Sequence, residues 1–286
     1  MPNFRFPSLL IAFTIFVVLF SLDQSLAQEA EYGPSGTSTG SISAGSGPDE
    51  LSVQTRFQAS NFQNRTLGMS GVNYTLGLSL ASAGGFQLYA DVPFLWGETR
   101  GAPVQELGNP KFGLDFSFLQ AGDFDFWAET SATVTQPSGR LAARYDTYRA
   151  GAELRYRRAR YFGTMGAGHR FRVNEQDKQV DIGNVSDFDL TAGFSLRRQW
   201  AVLGLLEWYR SEGVIARNMV YARPAEWAGV SPAVRYRGAG GFEVLTAVTF
   251  PILQSREEEE MEVAFWDSSF PRVSQVSLRT QVGVWF

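Results

Sequence analysis

Residues 276–286 read VSLRTQVGVWF. Val276, Leu278, Thr280, Val282, Val284 and Phe286 share one parity, while Gln275, Ser277, Arg279, Gln281 and Gly283 share the other. A period of two marks a strand whose two faces meet different media. A shift of one residue would carry Arg279 to the apolar side, so the facing of this strand is set by its own side chains. The quoted stretch ends apolar, with Val284, Trp285 and Phe286 last. The final residues of a soluble domain are usually polar and frayed.

The same period recurs upstream in segments of about ten residues, the length of a transmembrane strand. Tyr148, Ala150, Ala152, Leu154 and Tyr156 oppose Arg149, Glu153, Arg155 and Arg157. Phe112, Leu114, Phe116 and Phe118 oppose Lys111, Asp115 and Ser117, and Phe124, Phe126, Ala128 and Thr130 oppose Asp125 and Glu129. Phe188, Leu190, Ala192, Phe194 and Leu196 oppose Asp187, Asp189 and Arg197. Residues 201–209 are ambiguous, because both parities are apolar until Glu207. Twelve such segments can be counted. Short connections near 82–85, 120–123, 158–160, 198–199 and 238–241 alternate with longer ones at 96–107, 136–146, 173–186, 211–225 and 254–272. Only the first long-side link, 61–66, is short. Alternating turn lengths with an even strand number are the pattern of an outer-membrane barrel. Periodicity and loop length are independent readings, and together they favour twelve strands over ten or fourteen. The fold expected is an all-β, transmembrane, antiparallel up-and-down barrel. Trp96, Trp127, Tyr161, Trp200, Trp208, Trp227 and Trp285 lie near segment ends, where aromatic girdles sit.

Composition agrees. Aromatics make up 14% of the chain while mean hydropathy is only -0.14, so the apolar residues are dispersed and not gathered into helical spans. A formal charge of -4 and a pI near 5.2 argue against a nucleic-acid partner. The absence of Cys excludes a disulfide framework, a thiolate metal site and a lipid-modified N-terminal Cys. Residues 9–22, LLIAFTIFVVLFSL, follow Arg5 and precede Ser25, Leu26 and Ala27, the form of a secretory signal peptide with its small-x-small cleavage site. The run is shorter than the ~20 residues of a membrane anchor. Residues 1–27 are therefore expected to be removed, and residues 28–50, rich in Ser and Gly, to form a flexible periplasmic lead-in before the barrel at 51–286.

The closing strand resembles the terminal signal read by bacterial barrel-assembly machinery, an alternating apolar strand with Phe last. The resemblance implies Val282, Val284 and Phe286 as the assembly signal and the assembly machinery as a partner. An unpaired last strand offers an edge to which a partner strand can add. Signal peptide, paired strands and terminus together point to the bacterial outer membrane of a Gram-negative cell, with membrane lipid and lipopolysaccharide as surroundings.

The catalytic alternatives are thin. His169, the single His, has the apolar parity of Tyr161, Met165 and Phe171. Outer-membrane phospholipases carry a Ser two residues after such a His, whereas Phe171 stands here, and a Ser–His pair would have to assemble across strands. Asp123, Asp125 and Glu129, or Asp187 and Asp189, would serve as acid–base pairs, but they share a face with Arg and Lys and read more simply as a self-neutralising lumen. Glu257, Glu258, Glu259, Glu260 and Glu262 lack a calcium-loop spacing and read as a solvated outer loop. No phosphate-cradling or dinucleotide motif appears. Neither a cofactor nor a metal is expected, and the chain is not read as an enzyme.

Residues 106–113, ELGNPKFG, open the fourth segment after a Pro/Gly-containing loop. They resemble the GLGD-P-x-x-G strand entry of the outer-membrane transporter-like family of the MetA-pathway of phenol degradation, and the preceding VPFLWGETRG is similar to that family's strand and loop. Asn109 stands for the usual Asp and Glu106 for the first Gly, and the likeness covers about 20 residues, the remainder matching by pattern. It implies passage of aromatic or other small hydrophobic compounds.

The reading that follows is a porin-like channel for passive transport of small solutes. Its charge preference would be set by a transverse field from Arg56, Asp115, Glu129, Arg149, Glu153, Arg155, Arg157, Arg235, Glu243 and Arg279. The rival is a non-conducting structural or adhesive barrel acting through its outer loops, and a third class is an interfacial enzyme. Deleting Phe286 is expected to cut the folded, heat-modifiable fraction recovered from outer membranes, whereas Arg279→Gln should leave that fraction near wild type.

Overall fold

The computed structural model describes residues 51–64, 69–82, 85–135, 145–173, 180–216, 219–238, 242–265 and 276–285. Residues 1–50 and Phe286 lie outside them, so the signal peptide, the lead-in and the last residue of the assembly signal have no structural account here. In chain order the strands are β1 (Leu51–Asn64), β2 (Met69–Ser82), β3 (Phe86–Thr99), β4 (Ala102–Leu107), β5 (Lys111–Ala121), β6 (Phe124–Thr133), β7 (Asp146–Arg158) and β8 (Tyr161–Val173). There follow β9 (Val180–Ile182), β10 (Val185–Ser195), β11 (Trp200–Ser211), β12 (Val214–Ala216), β13 (Met219–Ala222), β14 (Ala225–Arg237) and β15 (Phe242–Gln254). A short helix, α1 (Glu258–Ala264), precedes β16 (Ser277–Trp285).

Twelve of these strands form one ring. β1 pairs with β2, each long strand pairs antiparallel with the next, and β16 returns to β1 from Gln54↔Trp285 to Ser60↔Arg279. Closure leaves no edge, which is the condition for a sheet to stand in hydrocarbon. At the end holding the short turns, two-residue links such as Gly122–Asp123 and Ala159–Arg160 join neighbours, with Gly122 at φ 63° and Ala159 at φ 52°.

The longer links are more structured than the sequence suggests. β3 runs on to Thr99 and turns through Arg100 and Gly101 into β4, so a hairpin rises beyond the ring where an irregular loop is expected. β9, β12 and β13 form a separate three-stranded sheet over the same end. The glutamate-rich segment is helical in α1, and its Met261 is fully buried.

Parity sorts the surface. Leu76, Leu78, Phe116, Met165, Leu190, Val234 and Phe250 are exposed on the outside, while Gln87, Asp115, Glu129, Glu153, Thr191 and Thr249 are buried inside. This inverts a soluble protein, as a lipid-facing exterior requires. At the short-turn end the outward rings Phe124–Tyr156, Tyr161–Phe194 and Trp200–Tyr236 pair across strands with centroids 5.0, 5.2 and 4.8 Å apart, one girdle of an aromatic belt. Among the tryptophans whose side chains are described, two expected in the girdles are elsewhere, because Trp127 and Trp227 have inward parity and are 7% and 1% exposed. In β5 a bulge between Ser117 and Leu119 reverses the parity, leaving Phe118 and Leu119 both exposed.

Leu190 lies in mid-strand on the outer face. Leu190→Arg is expected to lower unfolding free energy in phosphatidylcholine bilayers by about 2–4 kcal/mol, the midplane cost of that charge, as read by urea titration. A Thr191→Arg change on the lumen side should cost no bilayer-depth penalty.

Candidate functional site: the barrel lumen

The lumen wall is divided by chemistry. On one side, β1, β3, β5–β8 and β10 contribute ionisable groups that lie along the wall and across neighbouring strands. Arg56 of β1 donates to Asp91 of β3 at 2.7 Å, passing over Gly77 of the intervening β2, where any Cβ would sit 2.5 Å from Asp91 Oδ1. Arg149 of β7 does the same over Gly168 of β8, whose Cβ would fall 2.7 Å from Arg149 Nε, to reach Asp187 of β10 at 2.8 Å. Its other edge meets Glu129 of β6. Arg170 donates to the second oxygen of Asp187 at 3.0 Å. These two glycines are needed as floors, since a side chain on either would displace a buried ion pair.

Arg155 meets Glu153 and lies over the Trp127 ring at 3.9 Å, which explains why Trp127 points inward. Arg279 of β16 reaches past β15 and β14 to Glu207 of β11 at 3.2 Å. Arg237 and Arg235 flank Glu243, the first in direct contact and the second 3.9 Å away. Of the ten charged residues singled out from sequence, Arg56, Asp115, Glu129, Arg149, Glu153, Arg155, Arg235, Glu243 and Arg279 are thus inward and buried or half-buried. Arg157 shares their parity through its pairing with Phe162 but stands exposed at the rim. Sequence reasoning did not single out Asp91, Arg170 or Glu207 as lumen residues. Parity marks all three, but only the register shows which cation each one meets.

The opposite side carries an apolar cluster beside the charges of Glu207, Arg235, Arg237 and Glu243. Ala201, Leu203 and Leu205 of β11, Ala233 of β14, Leu245 and Ala247 of β15 and Phe162 of β8 form one buried cluster with inward parity. This resolves the ambiguity of residues 201–209: both faces are apolar because the lumen face is apolar too. The double-apolar run was the signal.

At the long-loop end, α1 packs on Val185, Ala225 and Trp227, with Tyr209 alongside. All four have inward parity, so the helix sits within the mouth and not on the outer wall. Met261 and Ala264 are fully covered and Phe265 is 2% exposed. The Ala264 carbonyl accepts two buried hydrogen bonds, from Arg172 Nη1 and Ser211 Oγ, both at 3.0 Å. An exposed pair, Arg223 Nη2 to Glu260 at 2.6 Å, ties the other end of the helix to the loop before β14. The Arg223 hydrogen bond holds the Glu260 carboxyl below the ordinary glutamate range, so this tie is present at neutral pH and is lost as acid protonates Glu260.

His169 faces outward, edge-on to Phe171, with its Nδ1 3.1 Å from Ser186 Oγ on the adjacent strand. A cross-strand Ser–His contact therefore exists, but among the described residues no carboxylate meets the other ring nitrogen to orient it as a base. Nor, among them, do three or more His, Asp or Glu side chains converge as metal ligands.

Neither a family model nor a curated protein matches this sequence. Solved structures do match in fold. The COG4313 outer membrane channel from Pseudomonas putida F1 superposes with a TM-score of 0.63 at 9% identity, over 89% of this chain and 100% of that one. The NanC porin gives 0.50 at 7% identity over 83% and 99%. The chain therefore has the architecture of an outer-membrane barrel.

Arg149→Ala would leave Glu129 and half of Asp187 without their shared cation. Removing one partner of a buried pair costs about 3–5 kcal/mol, and lumen water should hold the loss near the lower figure. Urea unfolding of the refolded barrel measures it.

Proposed function

We propose that this chain is an outer-membrane channel for passive passage of small solutes. The observation that carries the reading is the closed ring of twelve strands with an apolar exterior and an ionisable, self-neutralised interior. A structural barrel gains nothing from a row of buried charges, each of which costs desolvation, whereas a lumen that passes polar solutes uses them to set a transverse field. The ten charged residues named above are assigned that role. The fold likeness to an outer-membrane channel and a porin supports the same class, and the strand-entry likeness at residues 106–113 favours aromatic or hydrophobic cargo. On this reading the surroundings are outer-membrane lipid and lipopolysaccharide, and the assembly machinery is the partner during insertion. No catalytic role is assigned to His169 and Ser186.

The seating of α1 inside the mouth makes entry the narrow step. Solutes pass beside the helix, along the side of the lumen that carries Arg149, Arg170 and Asp187. Purified barrel in planar bilayers is expected to show small, stepwise conductance, and removal of residues 257–265 should raise the step several-fold. A folded barrel that shows no conductance and no solute uptake in liposomes, with or without those residues, would sink the channel reading in favour of a structural or adhesive barrel.

A further inference from the structure

We infer that the outer wall between β5 and β8 holds a groove for one acyl chain of lipopolysaccharide, with the polar head of that chain at His169. The inference goes beyond the channel reading and needs only the barrel's place in the outer membrane.

On the outward face of these strands large and small side chains are not evenly mixed. Register sets Phe112 of β5, Ala132 of β6, Tyr148 of β7 and Phe171 of β8 in one row across the wall. The next row toward the short-turn end is Leu114, Thr130, Ala150 and His169. Ala132 therefore stands between two rings, and beneath it Thr130 and Ala150 make a wider floor between Leu114 and His169. Gly113, Ser131 and Arg149 also line this floor, and because they have inward parity it is their main chain that is reached there. The result is a groove of about 520 Å³, within the size range of clefts that hold small ligands. A chain laid in it touches protein on three sides, where a flat wall offers one, and dispersion attraction sums over those contacts.

Depth identifies the occupant. Tyr148 lies eight residues along β7 from Tyr156, a member of the short-turn girdle. At about 3.4 Å per residue and a strand tilt of roughly 40°, the two are about 20 Å apart along the membrane normal, close to the full height of the apolar band. The groove thus opens at the headgroup level of the long-loop end and runs from there into hydrocarbon, continuous with the lipid-covered wall. Long loops face the outside, and the outer leaflet of this membrane is lipopolysaccharide. A second barrel does not fit, because two convex walls meet along a ridge and leave a concavity between them empty. His169 supplies a polar atom just below the headgroups, where acyl chains carry their ester oxygens. Its Nδ1 is engaged by Ser186 Oγ at 3.1 Å, so Nε2 is the ring nitrogen that meets an acyl oxygen. A polar atom turned to hydrocarbon is costly unless it is hydrogen-bonded.

The test releases the full barrel from outer membranes in mild detergent and counts the lipid it keeps by native mass spectrometry. Wild type is expected to keep one lipopolysaccharide per barrel. The double variant Ala132→Leu/Ala150→Leu fills the groove from the lipid side and should keep at least ten-fold less. Ala192→Leu, on the outward face of β10, should keep as much as wild type. His169→Phe preserves the wall, loses the polar atom and should keep several-fold less. If wild type keeps no lipopolysaccharide, keeps phospholipid in its place, or is a dimer that the double variant separates, the proposal falls. It falls too if the double variant or His169→Phe keeps as much as wild type, or if Ala192→Leu loses as much as the double variant. Should the double variant not fold, the wild-type count and His169→Phe still decide it. Bilayer conductance is read separately: retained lipopolysaccharide on a non-conducting barrel overturns the channel reading and keeps the site, and conductance without that lipid overturns the site alone.

Discussion

Everything in this molecule depends on the pairing of β1 with β16. In hydrocarbon no water is at hand to satisfy a backbone N–H or C=O, so a sheet survives there only if its last edge finds its first. The register from Gln54↔Trp285 to Ser60↔Arg279 makes that closure, and it places Arg56, Gln58 and Arg279 on the inside together. A slip of one residue would turn both arginines to lipid, at a midplane cost of about 2–4 kcal/mol each. Closure and facing are therefore one constraint, which the side chains of the two terminal strands enforce jointly.

Once closed, the ring has to fill a confined interior. On the charged side the solution is lateral: long cations lie along the wall over glycines, as Arg56 does over Gly77 and Arg149 over Gly168, and meet carboxylates one or two strands away. On the other side Leu203, Leu205 and Leu245 cover one another. The two halves leave a lumen that is amphipathic across its width, and α1 covers the apolar half at the mouth by packing on Val185 and Trp227. The pairs Arg237–Glu243 and Arg279–Glu207, with Arg235, border the apolar cluster, all but Arg279 on the same strands.

Much of this was legible from period alone. Strands β7, β10 and β16 show a single clean alternation because one face meets lipid and the other meets water or charge, and the sequence must record that difference at every second residue. Where the media on both sides are apolar, as along β11, the record vanishes and residues 201–209 read both ways. Trp127 and Trp227 were misleading for a related reason. An aromatic near a strand end suits the headgroup level, but each is used inside, one beneath Arg155 and one beneath α1. The glutamate run reads as solvated loop because its acids outnumber its anchors, yet Met261, Ala264 and Phe265 suffice to seat the helix.

By itself the sequence determined the class of fold, the number of strands, the alternation of short and long connections and the face on which each charge lies, because all of these follow from a period of two read against lipid. Only the tertiary structure decided which charge meets which, that one wall of the lumen carries an apolar cluster, and that the last long loop turns into the mouth. Those features depend on contacts between segments far apart in the chain, such as Arg172 with Ala264 or Arg279 with Glu207. Periodicity specifies a side chain's face and says nothing of its partner on another strand.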